Sequence, residues 1–338
     1  MPSFERESTR IVIGGASSLL GAELKSLLEE SRFAGWDLRL VDEEVAAGTL
    51  TEAGGEPAVI QPVEEGSFDR ARLIFFTGST EFSRANLQAA ARTDASVVDL
   101  SGAALEDADD TPVVAWFPQL DSLRGQLSPV DEKLFGVPSA AATATSALAL
   151  ALSKLGLIRM SVVHFHPASE AGRAGIEELE AQTGKLLSFQ PFGQPVFDTQ
   201  VAFNILDRFG AGSRQRLGSA AQRLRGEVRA CVSKKVSLPA VQVLHAPVFY
   251  GATFSACADV DVLGAQKIVE VCREAGFVVV PEDEPGPSNV SVAGEQSIFL
   301  AQPESDPSDG STFWLWGAAD NIRLPAWNAV KLAEKLVP

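Results

Sequence analysis

The side chains best suited to chemistry in this 338-residue chain are three histidines and three cysteines. His164 and His166 stand two apart in Met160 to His166, a run that predicts a strand, so their side chains share one face. His245 opens a second stretch that reads as a strand. Three converging imidazoles bind zinc or another divalent ion, or move protons near neutral pH. Pocket-lining histidines hydrogen-bonded to their neighbours are the plainer arrangement, and no metal site is assigned. Glu170, just after His166, can pair with a histidine or sit as a solvated carboxylate at a helix start. Cys231, Cys257 and Cys272 form no CxxC pair, which excludes a disulfide framework and fits a reducing cytoplasm.

A second group of residues has the spacing of a nucleotide site. Ile11 to Gly21 reads strand, turn, helix, with Gly15, Ser18 and Gly21 in the places where a dinucleotide turn carries glycines. Ser18 adds a Cβ that crowds a phosphate, although its hydroxyl can donate to one; Ser17 belongs to the same turn. Asp42 follows at the end of the next strand, where an acid accepts from an adenosine ribose. With Glu43 and Glu44 beside it, this end repels a 2′-phosphate, so charge favours NAD over NADP. A tight turn without nucleotide and a solvated acidic loop are the alternatives.

The elements that must position these residues follow from hydrophobic periodicity. Strand-like runs at Arg10–Gly15, Asp37–Val41, Ala71–Thr77 and Ala95–Leu100 alternate with helical patterns at 17–30 and 82–92, which predicts a parallel α/β sheet. The second half is richer in strands, at 160–166, 242–249, 277–280, 297–301 and 312–316. Its helices fall at 169–187, 214–232 and 265–275, which predicts an α+β domain. A last helix, Ala326 to Leu336, returns to the first domain. The expected division is 1–135 plus 318–338, and 136–317.

Composition limits the function classes. The formal charge of −16 argues against a nucleic-acid binder. The arginines at 214, 216, 223, 225 and 229 read as a solvated helix face, with an anionic partner as the other reading. The N-terminus lacks an apolar signal core. The uncharged run Leu134 to Leu152 is rich in Ala, Ser and Thr and predicts a buried loop and helix rather than a membrane span.

Several segments together resemble the aspartate-semialdehyde dehydrogenase family, and most of all its Usg-type paralogues. They are the glycine turn, Val97-Val98-Asp99-Leu100-Ser101, Glu177 to Thr183, Val201 to Asn204, Ala246-Pro247-Val248-Phe249-Tyr250-Gly251, and Ala319-Asp320-Asn321-Ile322-Arg323. The resemblance implies a Rossmann N-terminal domain, an α+β C-terminal domain for catalysis and dimerisation, and a homodimer or tetramer. It implies reduction of aspartyl phosphate with NADPH through a cysteine thioester, a step of amino-acid biosynthesis. It also implies cofactor contacts from Thr77, Gly78, Ser79 and Ser101, and support of the nicotinamide carboxamide by Asn321.

The same resemblance exposes substitutions. The nucleophile's place falls between Ala140 and Thr143, and the base's place at Ala252. The substrate arginine corresponds to His245, the glutamine to His166, the phosphate-binding arginine to Leu105 and a glycine to Glu170. The helical Glu and Lys that meet substrate fall near Ala220 and Arg223. Without nucleophile, base and phosphate cation the parent reaction is not expected. The sequence reading is therefore a two-domain dimer with NAD or an empty nucleotide fold, acting as a pseudoenzyme scaffold or as partner of a metabolic enzyme. The alternatives are new chemistry at His166 and His245, or a working oxidoreductase on an aldehyde or acyl phosphate.

Overall fold

A computed structural model describes residues 9–53, 55–106, 112–124, 132–232, 236–262 and 264–337. The chain divides into two compact units, the first made of 1–117, 128–137 and 326–338, the second of 118–127 and 138–325.

In the first unit seven described strands form one sheet, in the order Gln61–Pro62, Asp37–Asp42, Arg10–Gly14, Ala71–Phe76, Ser96–Asp99, Leu134–Gly136, Val114–Ala115. Every neighbouring pair is parallel. Such a sheet is covered on both faces, so its strands are apolar nearly throughout: Ile11, Val12, Ile13 and Leu73 to Phe76 are fully buried. The order reverses beside Arg10–Gly14, and ligands of open parallel sheets bind at that kind of switch point. The first helix, Leu19–Glu29, begins two residues later than its apolar pattern suggests, because Ser18 caps it: the Ser18 hydroxyl accepts from the Gly21 N–H at 2.9 Å. The short strands Leu50–Ala53 and Glu56–Val59 pair as a small hairpin that the sequence reading lacks.

The second unit carries a mixed sheet, in the order Ala240–His245, Leu157–His166, Ala252–Val260, Asp309–Ala319, Ile298–Leu300, Phe277–Val279. His245 closes its strand rather than opening one; Ala246-Pro247 follows, and Pro247 has no N–H to extend a ladder. Helix Ala140–Ser153 packs on this sheet and against helices Leu217–Cys231 and Ala265–Glu274. It is buried from Ala142 to Leu152 on every side, which explains its small, uncharged composition. The opposite sheet face is open: Phe313 and Leu315 are buried, while Trp314 and Trp316 are 46% and 38% exposed.

Candidate functional site

The glycine turn closes tightly in the first unit. Gly15 has φ +81°, and a Cβ there would lie 2.1 Å from the Gly78 backbone nitrogen. A Cβ on Gly21 would lie 2.6 Å from the Gly15 oxygen. Both glycines are therefore required by close backbone approach. The Ser18 hydroxyl donates to the Thr77 carbonyl at 2.8 Å while capping the helix. Its hydroxyl proton is thus used within the turn. Thr77 is similarly engaged, its hydroxyl directed at the carbonyls of Gly14 and Gly15. Asp42 is buried and accepts from the backbone N–H groups of Ser17 at 2.7 Å and Glu43 at 2.8 Å. Glu43 is exposed, with its carboxylate 3.4 Å from the Ser79 hydroxyl.

Ser101 belongs to a capping network. Its hydroxyl donates to Asp99 at 2.6 Å, and Asp99 also accepts from the backbone of Ser101 and Ala104. Burial pushes the Asp99 carboxyl up from the ordinary carboxylate range, against those hydrogen bonds. Leu105 is a core residue packed over Gly136, where a Cβ would lie 2.5 Å from its side chain.

In the second unit the residues around the start of helix Ala140–Ser153 come together. Ser139 caps that helix. Its backbone N–H donates to the Glu227 carboxylate at 3.0 Å and its hydroxyl donates to the same oxygen at 2.6 Å. Glu227 is buried, and burial raises its pKa despite Arg223 and Ser139. The start of the helix is thus already occupied by an internal carboxyl group. Ala140 is the first helical residue, and Thr143 is buried with its hydroxyl directed at the Pro138 carbonyl at 3.3 Å. Ala220 and Arg223 share the helix Leu217–Cys231 with Glu227, and Arg223 is half-buried. Sequence reasoning missed Glu227. Its signal was a carboxylate inside the apolar stripe Ala221, Leu224, Val228, Cys231. The other arginines of that helix face, and Arg214 before it, are exposed.

The histidines do not act as one set. His166 and His245 are register partners on adjacent parallel strands. His245 is fully buried between Phe197 and Phe209, and neither ring nitrogen has a partner. Burial lowers its pKa to about 4. His164 is equally enclosed, beside Phe254, with its Nε2 2.8 Å from the Thr145 hydroxyl, and burial lowers its pKa to about 3. Aromatic rings remote in sequence thus enclose His245, one of the two histidines expected to be catalytic. Among the described residues no three His, Cys, Asp or Glu groups form a metal site. His166 differs. Its side chain is 21% exposed, and its Nε2 lies 3.8 Å from the Glu170 carboxylate. Burial lowers its pKa, with Glu170 opposing and Arg223 adding to the shift.

Asn321 is buried and fully used. Its Oδ1 accepts from the Gly251 N–H at 2.8 Å, and its Nδ2 donates to Ser169 at 3.0 Å and to Glu170 at 3.2 Å. Ala252 begins the strand after Gly251 and is buried. Cys231 and Cys272 are buried in helices, and Cys257 lies on the strand Ala252–Val260. Burial holds the Cys272 thiol near 12 and also raises that of Cys257.

A parallel, nucleotide-type sheet joined in sequence to a mixed sheet makes an α/β unit followed by an α+β unit. Residues 148–324 match the semialdehyde dehydrogenase dimerisation domain. The chain is 30% identical to a USG-1 protein homolog of Pseudomonas aeruginosa, over 97% of both chains. It is 24% identical to an aspartate-semialdehyde dehydrogenase of Rickettsia bellii, again over 97% of each. A solved structure of a probable aspartate-semialdehyde dehydrogenase from Pseudomonas aeruginosa superposes with a TM-score of 0.85 at 28% identity, covering 98% of both chains. The chain belongs to the semialdehyde dehydrogenase family. No helix among the described residues is long and apolar enough to cross a membrane.

Proposed function

We propose that this chain is a homodimeric, nucleotide-binding member of the family that does not run the thioester reaction. The observation that carries this reading is the start of helix Ala140–Ser153. Acyl transfer needs a thiolate there, with cations to hold its charge. The chain instead offers the segment Ala140 to Thr143, which has no thiol, and the Glu227 carboxyl accepts from the Ser139 N–H and hydroxyl. The cysteines present have thiols buried or raised, which is unfavourable to thiolate formation.

The support for a dinucleotide is the strand–turn–helix arrangement Arg10–Gly14, Gly15, Leu19–Glu29 at the sheet's switch point, where the chain's own close backbone approach requires Gly15 and Gly21. The N–H groups of Gly15, Ala16 and Ser17 already donate to the Val41 carbonyl and to Asp42, so the start of helix Leu19–Glu29 is what would meet the pyrophosphate. Asp42 would face the ribose, with Thr77 and Gly78 on the neighbouring loop. The bound group would supply a hydride acceptor. Asp42, Glu43 and Glu44 disfavour a further phosphate, which supports NAD over NADP. Ser18, Thr77, Ser101 and Asn321 support the loops through the bonds described above. Dimerisation is supported by the matched domain and by the open sheet face that carries Trp314 and Trp316.

An assay of purified protein with aspartate semialdehyde, phosphate and NAD or NADP tests the reading. No turnover is expected. Turnover abolished by cysteine alkylation would overturn it. A functioning nucleophile elsewhere would require one of the three cysteines to reach substrate.

A further inference from the structure

The sheet of the first unit has an incomplete edge. The strand Asp37–Asp42 pairs on its inner side with Arg10–Gly14, but on its outer side Gln61–Pro62 covers only Val41 and Asp42. The bonds that are made fix the direction of the rest. The Asp37 N–H donates to the Thr9 carbonyl, and the Val41 carbonyl accepts from the Gly15 N–H, so residues 37, 39 and 41 turn their backbone groups inward. The Asp42 carbonyl accepts from the Val63 N–H, so 38, 40 and 42 turn theirs outward. Among the described residues, the N–H and C=O of Leu38 and the N–H of Leu40 have no backbone partner. This edge borders a groove of about 380 Å³, lined also by Arg10, Gln61, and Ala58 and Val59 of the hairpin strand Glu56–Val59. The charges in it are not balanced. Arg10 is held by Asp37 at 2.6 Å. Arg39 is half-buried and bonds the Gly66 carbonyl at 3.2 Å, with no carboxylate partner among the described residues. An unpaired strand edge is a template for another strand, and natural sheets usually cover or blunt it. Here it stays open beside a cation, in a chain of net charge −16.

We propose that the groove is a docking site for an extended acidic segment of a partner protein, which adds one strand beside residues 37–40. The backbone of Leu38 and Leu40 supplies the hydrogen bonds, and side chains on alternate faces supply the selectivity. Asp37 and Arg39 lie on one face of the strand, Leu38 and Leu40 on the other. The segment therefore carries valine, isoleucine or threonine beside the leucines and Asp or Glu beside Arg39, where opposite charges on neighbouring strands attract. An acid beside Asp37 is disfavoured by the same rule. The pattern recognised is apolar, acidic, apolar, in extended chain. The groove lies at the start of the strand Arg10–Gly14 and the glycine turn follows its end, so this site stands or falls apart from the nucleotide reading.

The test uses the full chain and the peptide Ac-Ser-Val-Glu-Val-Thr-NH2. Backbone NMR reports on the amides of Leu38 and Leu40, and titration gives a Kd, expected at roughly 0.1–1 mM for so short a strand. Saturating peptide slows hydrogen exchange at both amides at least about 10-fold. N-methylation of the peptide's central Val-Glu-Val abolishes binding, because the backbone bonds are lost. Arg39→Glu weakens binding at least about 3-fold, the size of reversing one cross-strand pair. The same variant binds the peptide with Lys in place of Glu at least about 3-fold more tightly than wild type does. Arg39→Gln loses the wild-type preference for the Glu over the Lys peptide, and decides the matter if Arg39→Glu does not fold. No binding at about 5 mM peptide, well above the expected Kd, overturns the proposal. Binding that survives N-methylation, or that is indifferent to the charge at Arg39, also overturns it. So does protection of the Leu38 and Leu40 amides that grows with protein concentration and is not displaced by peptide, which would put a second copy of the chain on the edge.

Discussion

Acid should destabilise this protein through its enclosed imidazoles. His164 and His245 have folded pKa values of about 3 and about 4, both below the ordinary 6.5, because burial penalises the cation. A histidine whose folded pKa is depressed binds more protons when unfolded. Its contribution to stability is therefore complete above the unfolded pKa and is lost as pH falls through it. At pH 5 the unfolded imidazole is protonated and both folded ones remain neutral. The deficit is about 1.5 pH units per residue, or about 2 kcal/mol each. Together they remove about 4 kcal/mol, a large part of the 5–15 kcal/mol typical of a domain. Asp99 and Glu227 act in the opposite sense, because their folded pKa values are raised and protonation favours the native state. The test is thus a difference between proteins. His245→Phe keeps an aromatic ring between Phe197 and Phe209 and removes two ring nitrogens that have no partners. Urea unfolding at pH 8 and pH 5 should show the variant losing about 2 kcal/mol less than wild type between the two pH values. Equal losses in both proteins would refute the reasoning.

Gly15→Ala should reduce NAD binding below detection by calorimetry and lower the thermal midpoint. Its Cβ meets the Gly78 backbone at 2.1 Å and its φ of +81° is strained for alanine. Glu227→Ala should cost about 1–3 kcal/mol in urea unfolding, because the Ser139 N–H loses its acceptor. Glu227→Gln, which retains an amide oxygen, should cost less. NADP should bind at least roughly 10-fold more weakly than NAD in low salt, with the gap narrowing as salt screens Asp42, Glu43 and Glu44.

Local patterns revealed the parallel sheet because its strands are buried on both faces and punctuated by glycines, as in Ile11-Val12-Ile13-Gly14-Gly15. They revealed the mixed sheet less sharply: the Pro247 stop was visible, yet His245 was placed at the wrong end of its strand. The site was legible only as a set of substitutions. The nucleophile's place, between Ala140 and Thr143, holds no cysteine, and that much is plain from the sequence alone. What is missing from the sequence is long-range. Phe197 and Phe209 enclose His245 from a segment that periodicity cannot dock. Glu227 reaches Ser139 across 88 positions of chain. The hydroxyls of Ser18, Thr77 and Ser101 are committed to the protein's own backbone and side chains, which spacing along the chain does not display.

The central claim is that no acyl-enzyme forms. Intact-mass measurement after incubation with aspartate semialdehyde and NAD or NADP, quenched in acid without added phosphate, tests it most directly. An unchanged protein mass is expected with either nucleotide. A stoichiometric acyl adduct mapped to Cys231, Cys257 or Cys272 would contradict it.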